Sequence, residues 1–257
     1  MNETLEATAR LFFKDWFIDF GPTRAKAEGR PPYLAPELWA LFPDALDDDD
    51  KPVGWTEKPL SSLIELIGGG TPKTSVAEYW NGSIPWFSVV DAHAPSDTFV
   101  IKTEKTITPS GLEGSSTRLI PRNATIITAR GTVGKLALVG VEMAMNQSCY
   151  AITGKAGWSN YFIHFILKNA VQTLQANTHG SVFDTITRAT FDAVSSCCPT
   201  QNIAIAFDET IRELMEQIRS NLFEHETLAQ TRDFLLPKLM SGEIRLRDAE
   251  KLVEQVA

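Results

Sequence analysis

Apolar positions along the chain change their spacing three times, and each spacing predicts a different kind of element. Over residues 2–19, Leu5, Ala9, Phe12 and Trp16 recur at intervals of four, three and four, which predicts an amphipathic helix with Asn2 or Thr4 at its start and Gly21-Pro22 at its end. From Gly29 to Pro59 the pattern lapses. Pro31, Pro32, Pro36, Pro43, Pro52 and Pro59 forbid long regular elements, so this stretch is expected to be a linker that packs locally through Leu38, Trp39, Leu41 and Phe42. Between Leu60 and Pro199 short apolar runs alternate with turn residues. Strands are predicted at Ile84–Val90, Thr125–Thr128, Lys135–Val141 and Ser148–Ile152, and a helix from Trp158 to about Ala176, with Ser159 or Asn160 near its cap.

Beyond Pro199 the spacing becomes that of a heptad. Ala204, Phe207, Ile211, Leu214, Ile218, Asn221, His225 and Leu228 alternate by three and four, and Arg232, Leu235 and Leu239 continue in register. A helix from about 202 to 236 is predicted, with Pro237 kinking it near its end and Gly242 terminating it. The sequence therefore divides into an N-terminal helix (1–20), a Pro/Asp-rich linker (21–59), an α+β domain (60–199) and a long helix with a tail (200–257). The two ends of the chain also echo one another. Glu3-Thr4-Leu5 matches Glu226-Thr227-Leu228, Thr8 matches Thr231 at the same offset, and Leu11-Phe12-Phe13 meets Phe234-Leu235-Leu236.

Composition narrows the choice of function. A formal charge of −8 argues against a chain that binds nucleic acid over its whole surface. The charge is uneven, however. Acid concentrates between Glu37 and Asp50, whereas Thr71–Thr190 holds ten Lys+Arg against seven Asp+Glu, which permits a DNA-facing surface there. No apolar run approaches the about 20 residues that span a bilayer, and no basic-then-apolar leader opens the chain, so the expected compartment is the cytoplasm. Cys149 stands alone and Cys197 and Cys198 are adjacent, a pattern of buried free thiols rather than of a disulfide framework. His93, His164, His179 and His225 lack partners at metal-ligand spacing, so no metal is assigned.

Several motifs invite chemistry. Gly68-Gly69-Gly70-Thr71-Pro72-Lys73-Thr74 has proline where a nucleotide-binding loop needs glycine before the lysine. Gly131-Thr132-Val133-Gly134-Lys135-Leu136 lacks the Ser or Thr that should follow. A glycine turn that brings Lys73 and Thr74 to a DNA phosphate, or a plain tight turn, remains open. Tyr79, Trp80, Trp86, Phe87 and Phe99 could stack on bases, but a sheet domain needs such volume in its core. Arg pairs with guanine, and Asn or Gln with adenine, in the major groove, which makes Arg130, Asn146, Gln147 and Arg188 candidates.

The motifs in their order resemble the specificity subunits of Type I restriction-modification enzymes. Gly69–Thr74 followed by Glu78-Tyr79-Trp80-Asn81-Gly82 and Ile84-Pro85-Trp86 looks like the opening of a target-recognition domain. Ala129–Lys135 looks like its central turn, Asn146-Gln147 and Gly180-Ser181 like later elements, and Leu235–Ile244 like the family's closing segment. Leu11–Phe20 with Arg24–Gly29 looks like the end of the region between two recognition domains. The resemblance implies an α+β recognition domain with long helices in an antiparallel coiled coil, and a chain that is one half of a subunit, a truncated product or a fragment. It implies DNA as ligand, no catalysis and no cofactor in this chain, and methyltransferase and restriction subunits as partners. A homodimer through the helices would then read two inverted half-sites.

On that reading the DNA-facing residues are Lys73, Thr74, Lys102, Lys105, Arg118, Arg130, Lys135 and Arg188, while Asn146 and Gln147 serve the scaffold. The helical seams would meet partner subunits through Leu5, Phe12 and Trp16 on the first helix. On the long one they would use Phe207, Ile211, Leu214, Ile218, Asn221, His225, Leu228 and Leu235. Two other classes compete. A helical scaffold with an incidental globular head would have no DNA effect in complex with methyltransferase partners. An amino-methyltransferase is suggested only by Arg30-Pro31-Pro32-Tyr33, where arginine replaces the catalytic polar residue.

Overall fold

A computed structural model describes residues 1–92, 98–176 and 185–245. Gly180-Ser181, His93 and His179 lie outside the described residues. In chain order the elements are α1 (Asn2–Phe17), α2 (Gly21–Ala27), α3 (Pro36–Trp39), β1 (Thr56–Pro59), α4 (Leu60–Leu63) and β2 (Ile64–Gly68). Then come β3 (Trp80–Phe87), β4 (Phe99–Val100), β5 (Lys105–Ile107), α5 (Pro109–Glu113), β6 (Thr125–Thr128), β7 (Leu136–Val139) and β8 (Ala144–Met145). The chain continues through β9 (Cys149–Gly154), α6 (Asn160–Ala176), α7 (Arg188–Asp192), β10 (Ser195–Cys198) and α8 (Gln201–Met240). The architecture is α+β, and no helix among the described residues is long and apolar enough to cross a membrane.

A five-stranded sheet, β2-β9-β6-β7-β4, forms the centre. Its middle strand Thr125-Ile126-Ile127-Thr128 is buried throughout because both faces are covered. Ile127, Leu138 and Ile152 point into one cluster with α1, α6 and the base of α8, while Ile126, Val139 and Ala151 point into a second cluster with Phe87, Met143 and Met145. A three-stranded sheet, β5-β3-β8, adjoins the second cluster. The residues 21–59 are less of a linker than the prolines predict. Gly21-Pro22 opens α2 instead of only closing α1, Phe42 and Trp55 are core residues, and Leu41 is exposed. β1 pairs antiparallel with β10, so the domain begins before Leu60.

The helices pack antiparallel. Asn221 Nδ2 donates to Asn2 Oδ1 at 2.7 Å, and Phe13, Trp16 and Phe17 converge on Phe207 with ring centroids 5.2–6.0 Å apart. Asn2 is therefore spent on α8 and does not cap α1. Ser159 caps α6, its Oγ accepting from Phe162 N at 3.2 Å. Asp208 of α8 accepts from both Ser159 Oγ at 2.6 Å and Phe162 N at 3.2 Å, which fastens the long helix to the domain. Burial pushes the Asp208 carboxyl up, against the pull of these donors.

Glu6 and His164 are polar groups inside this core. Thr125 Oγ1 and His164 Nδ1 are 3.2 Å apart. Burial, helped by the nearby Lys168 cation, lowers the His164 imidazole to about 3. The unfolded imidazole takes a proton below about pH 6.5, so stability is full above that pH and is lost as pH falls toward the folded value. At pH 5 the expected loss is about 2 kcal/mol. Urea titrations at pH 7 and 5 should show it, and His164→Leu should remove most of the difference; an equal drop in both proteins would refute this.

Candidate nucleic-acid interface

The loop after β2 is held against two others. Gly70 N donates to Met145 O at 2.9 Å, and the buried Trp86 Nε1 donates to Gly70 O at 3.0 Å. A Cβ on Gly69 would sit 2.0 Å from Asn146 O, and one on Gly70 would sit 2.2 Å from Ser116 Oγ. Glycine is required there by close approach of backbones. Lys73 and Thr74 emerge exposed from this seat, and Lys73 O accepts from Trp80 Nε1 at 3.3 Å.

Thr117 Oγ1 donates to Met145 O at 2.8 Å, which sets the exposed Arg118 beside the same loop. Thr71 Oγ1 donates to Gln147 Oε1, and Asn146 Oδ1 accepts from Ser148 N at 3.0 Å. Asn146 thus holds a turn. Ser148 O in turn accepts from Ala129 N at 2.8 Å and Arg130 N at 3.2 Å. Arg130 opens a tight β6–β7 turn in which Gly131 and Gly134 have φ of 78° and 86°. Thr128 closes that turn by accepting at Oγ1 from Lys135 N at 3.0 Å, and Gln175 Nε2 of α6 donates to Val133 O at 2.8 Å. Lys73, Thr74, Arg118 and Arg130 therefore stand on one continuous rim, built from loops that the sheet edge and α6 hold fixed.

The other expected DNA-facing residues divide. Lys135 is at the end of the same turn, but its Nζ donates to Ala92 O at 2.9 Å. Lys105 is exposed on β5, paired with Trp86 of β3. Lys102 is drawn to the helical arm, where its Nζ meets Glu226 Oε1 at 2.7 Å. Arg188 lines a cleft with Ser61, Glu65, Lys155 and Asp192 at the Ile64–Gly154 end of the β2–β9 pair, whereas the rim rises from the Gly68–Tyr150 end. Lys155 is a cationic neighbour that sequence reasoning left out; nothing in its local motif distinguishes it.

The helical seam also needs correction. Trp16, Phe207, Ile211 and Ile218 are buried within this chain by α1, α6 and α8 themselves, because α1 brings its own aromatic face to the base of α8. Leu5, Phe12 and Leu214 pack against the same cluster, and Asn221 is engaged by Asn2. Leu235 is buried too, while His225 and Leu228 remain exposed. Among the described residues no group of His, Cys, Asp and Glu could hold a metal. Burial pushes the Cys149 and Cys198 thiols up to about 12, as inert buried thiols require.

Fold and rim together define a recognition-type α+β domain carried on a helical strut. The family model for the Type I restriction modification DNA specificity domain matches residues 52–224. The Type I restriction enzyme HindI specificity subunit of Haemophilus influenzae is 26% identical over 289 aligned residues, which cover 95% of this chain and 62% of that protein. The MjaIX specificity subunit of Methanocaldococcus jannaschii is 27% identical over 189 residues, covering 68% of this chain and 44% of that one. A crystal structure of the HsdS subunit from Thermoanaerobacter tengcongensis aligns with a TM-score of 0.48 at 14% identity, over 84% of this chain and 50% of that one. The chain belongs to the Type I restriction modification DNA specificity domain family, and it spans less than two thirds of the length of these curated relatives.

Proposed function

We propose that this chain reads a DNA sequence as the specificity component of a Type I restriction-modification complex, and that it catalyses nothing itself. The observation that carries the reading is the rim. Among the described residues, Lys73, Arg118 and Arg130 stand exposed on linked, rigid loops and form no ion pair. Rigid loops suit base readout, since a donor aimed at a base edge discriminates only if its position is fixed. Methyltransferase subunits, and restriction subunits through the complex, are the proposed protein partners. DNA is the ligand, and no cofactor is assigned to this chain.

A homodimer through the helices follows from the same reading. At about 1.5 Å per residue, the 40-residue α8 is about 60 Å long, enough to hold two heads one DNA turn of about 34 Å apart. Such a dimer would read two inverted half-sites around an unread spacer. The test is a binding-site selection followed by footprinting, with the methyltransferase subunits present. A bipartite inverted site is expected; recovery of no preferred sequence would end the proposal.

The rim gives a sharper prediction. Arg118→Ala and Arg130→Ala together should lower the slope of log K against log salt by roughly 2 if both contact phosphate, at roughly 0.9 per contact. If Arg130 reads guanine instead, its replacement should relax one base position by about 1–3 kcal/mol. Lys102→Ala should change neither, because Lys102 is occupied by Glu226. A Lys102→Ala effect equal to that of the arginines would misplace the interface.

A further inference from the structure

The repeat between the two ends of the chain acquires a meaning once α1 is seen docked. In the α1·α8 pair, residue 2 faces 221 and residue 16 faces 207. The repeat sets Glu226, Thr227, Leu228 and Thr231 on Glu3, Thr4, Leu5 and Thr8. Both copies even share a back-bond: Thr8 Oγ1 donates to Thr4 O, and Thr231 Oγ1 to Thr227 O, each at 2.8 Å.

At this offset Leu236, Leu239 and Met240 occupy the places of Phe13, Trp16 and Phe17, the three aromatic residues that α1 inserts against Phe207, Phe162 and Phe42. Yet Leu236 is 51% and Met240 81% exposed. Among the described residues, the distal half of α8 thus presents Leu236 and Met240 with no groove to receive them, while Leu239 is half-buried. Its own chain's groove is filled.

We propose that this distal half fits the groove at the base of α8 in a second copy of the chain, in competition with that copy's α1. The inference rests on the homodimer reading above and adds its geometry. A segment that puts residue 225 where 2 sits, and 239 where 16 sits, meets 221 and 207 of the other copy. These correspondences centre on Phe223, which places the two-fold axis there. Both members of the seam's polar pair are then used, His225 facing Asn221 of the other copy.

Over 2–17 only Glu3, Thr4, Leu5 and Thr8 recur unchanged, and among the five residues that α1 buries two change character, which decides which occupant prevails. Ala229 replaces Glu6 and Arg232 replaces Ala9. Glu6 accepts from Thr98 Oγ1 at 2.5 Å and pairs with Lys168, so a second copy would leave those donors without a carboxylate. The contact between Glu6 and Lys168 makes α1 the favoured occupant and holds dimerisation back.

Sedimentation of the full chain over a concentration series tests this. Glu6→Ala should lower the dimer Kd at least tenfold, and Leu236→Glu with Met240→Glu added to it should reverse the gain. Lys168→Ala, run beside it, weakens the same contact from the other side and should also favour the dimer. On oxidation, Phe223→Cys in the Glu6→Ala background should cross-link the chain to itself, while Glu6→Ala alone should not.

A dimer whose Kd ignores Glu6 and Lys168, or which forms without that cross-link, would overturn the inference and leave the homodimer standing. A chain that stays monomeric in every variant would overturn both, while its DNA reading would still be judged by site selection.

Discussion

Phe207→Ala is expected to cost about 4 kcal/mol of folding stability, the upper part of the range for emptying a buried aromatic site. Phe207 is fully buried and meets Phe13, Trp16, Phe17 and Phe165 with ring centroids 5.2–6.0 Å apart. It is the residue at which α1, α6 and α8 meet, so its loss leaves a cavity that three helices would have to close together. Rings fixed on separate helices relax poorly into such a space, which keeps the cost high. Denaturant unfolding measures it. Phe207→Leu, which retains most of the volume, should cost less than half as much. A loss below about 1.5 kcal/mol for the alanine variant would mean that α1 contributes little to the fold.

Glu6→Ala is the second large effect, with an expected loss of about 3 kcal/mol. The Glu6 side chain is almost wholly buried. Its carboxylate accepts from Thr98 Oγ1, Arg10 NH2 at 2.7 Å and Lys168 Nζ. Burial by itself would raise the carboxyl, but the bonds from Lys168, Thr98 and Arg10 outweigh it and hold the group below the usual glutamate range. A lowered folded value means that the contribution is present above about pH 4.5 and is lost as pH falls through the folded value. Glu6→Gln separates charge from shape: it keeps an acceptor for Thr98 and loses the pairing with Lys168. Hydrogen exchange should show α1 amides losing protection first in both variants. If α1 stayed as protected as the rest of the core, the carboxylate would not be what fastens it.

Several of these features are legible in the sequence. The run Thr125–Thr128 predicts a strand and forms one, because an uninterrupted β-branched segment between turn residues has few other uses. The heptad seam predicted α8 to within a few residues, since its period of three and four persists long enough to exclude a strand. Glu6 carries a further signal in the sequence. It lies on the same helical face as Ala9, Phe13 and Trp16, and a carboxylate on an apolar face asks for a buried partner. Asp208, one turn after Ala204 at the start of the seam, gave a weaker signal of the same kind.

The sequence by itself determined the periodicities, and with them the elements, the α+β class, the order of the motifs and the family they resemble. Those properties depend on neighbours a few residues apart. Only the tertiary structure decided which seam positions are free and which are spent: Phe207, Ile211 and Ile218 read the same as Leu228 in the heptad, but the packing of α1 against α8 covers the first three and leaves the last exposed. Only the tertiary structure joined Thr71 to Gln147 and Ser148 to Arg130 on one rim, and sent Lys102 to Glu226 instead. The reason is physical: a side chain's partner is set by long-range packing between segments distant along the chain, and no local spacing encodes which of several apolar faces will reach a given groove first.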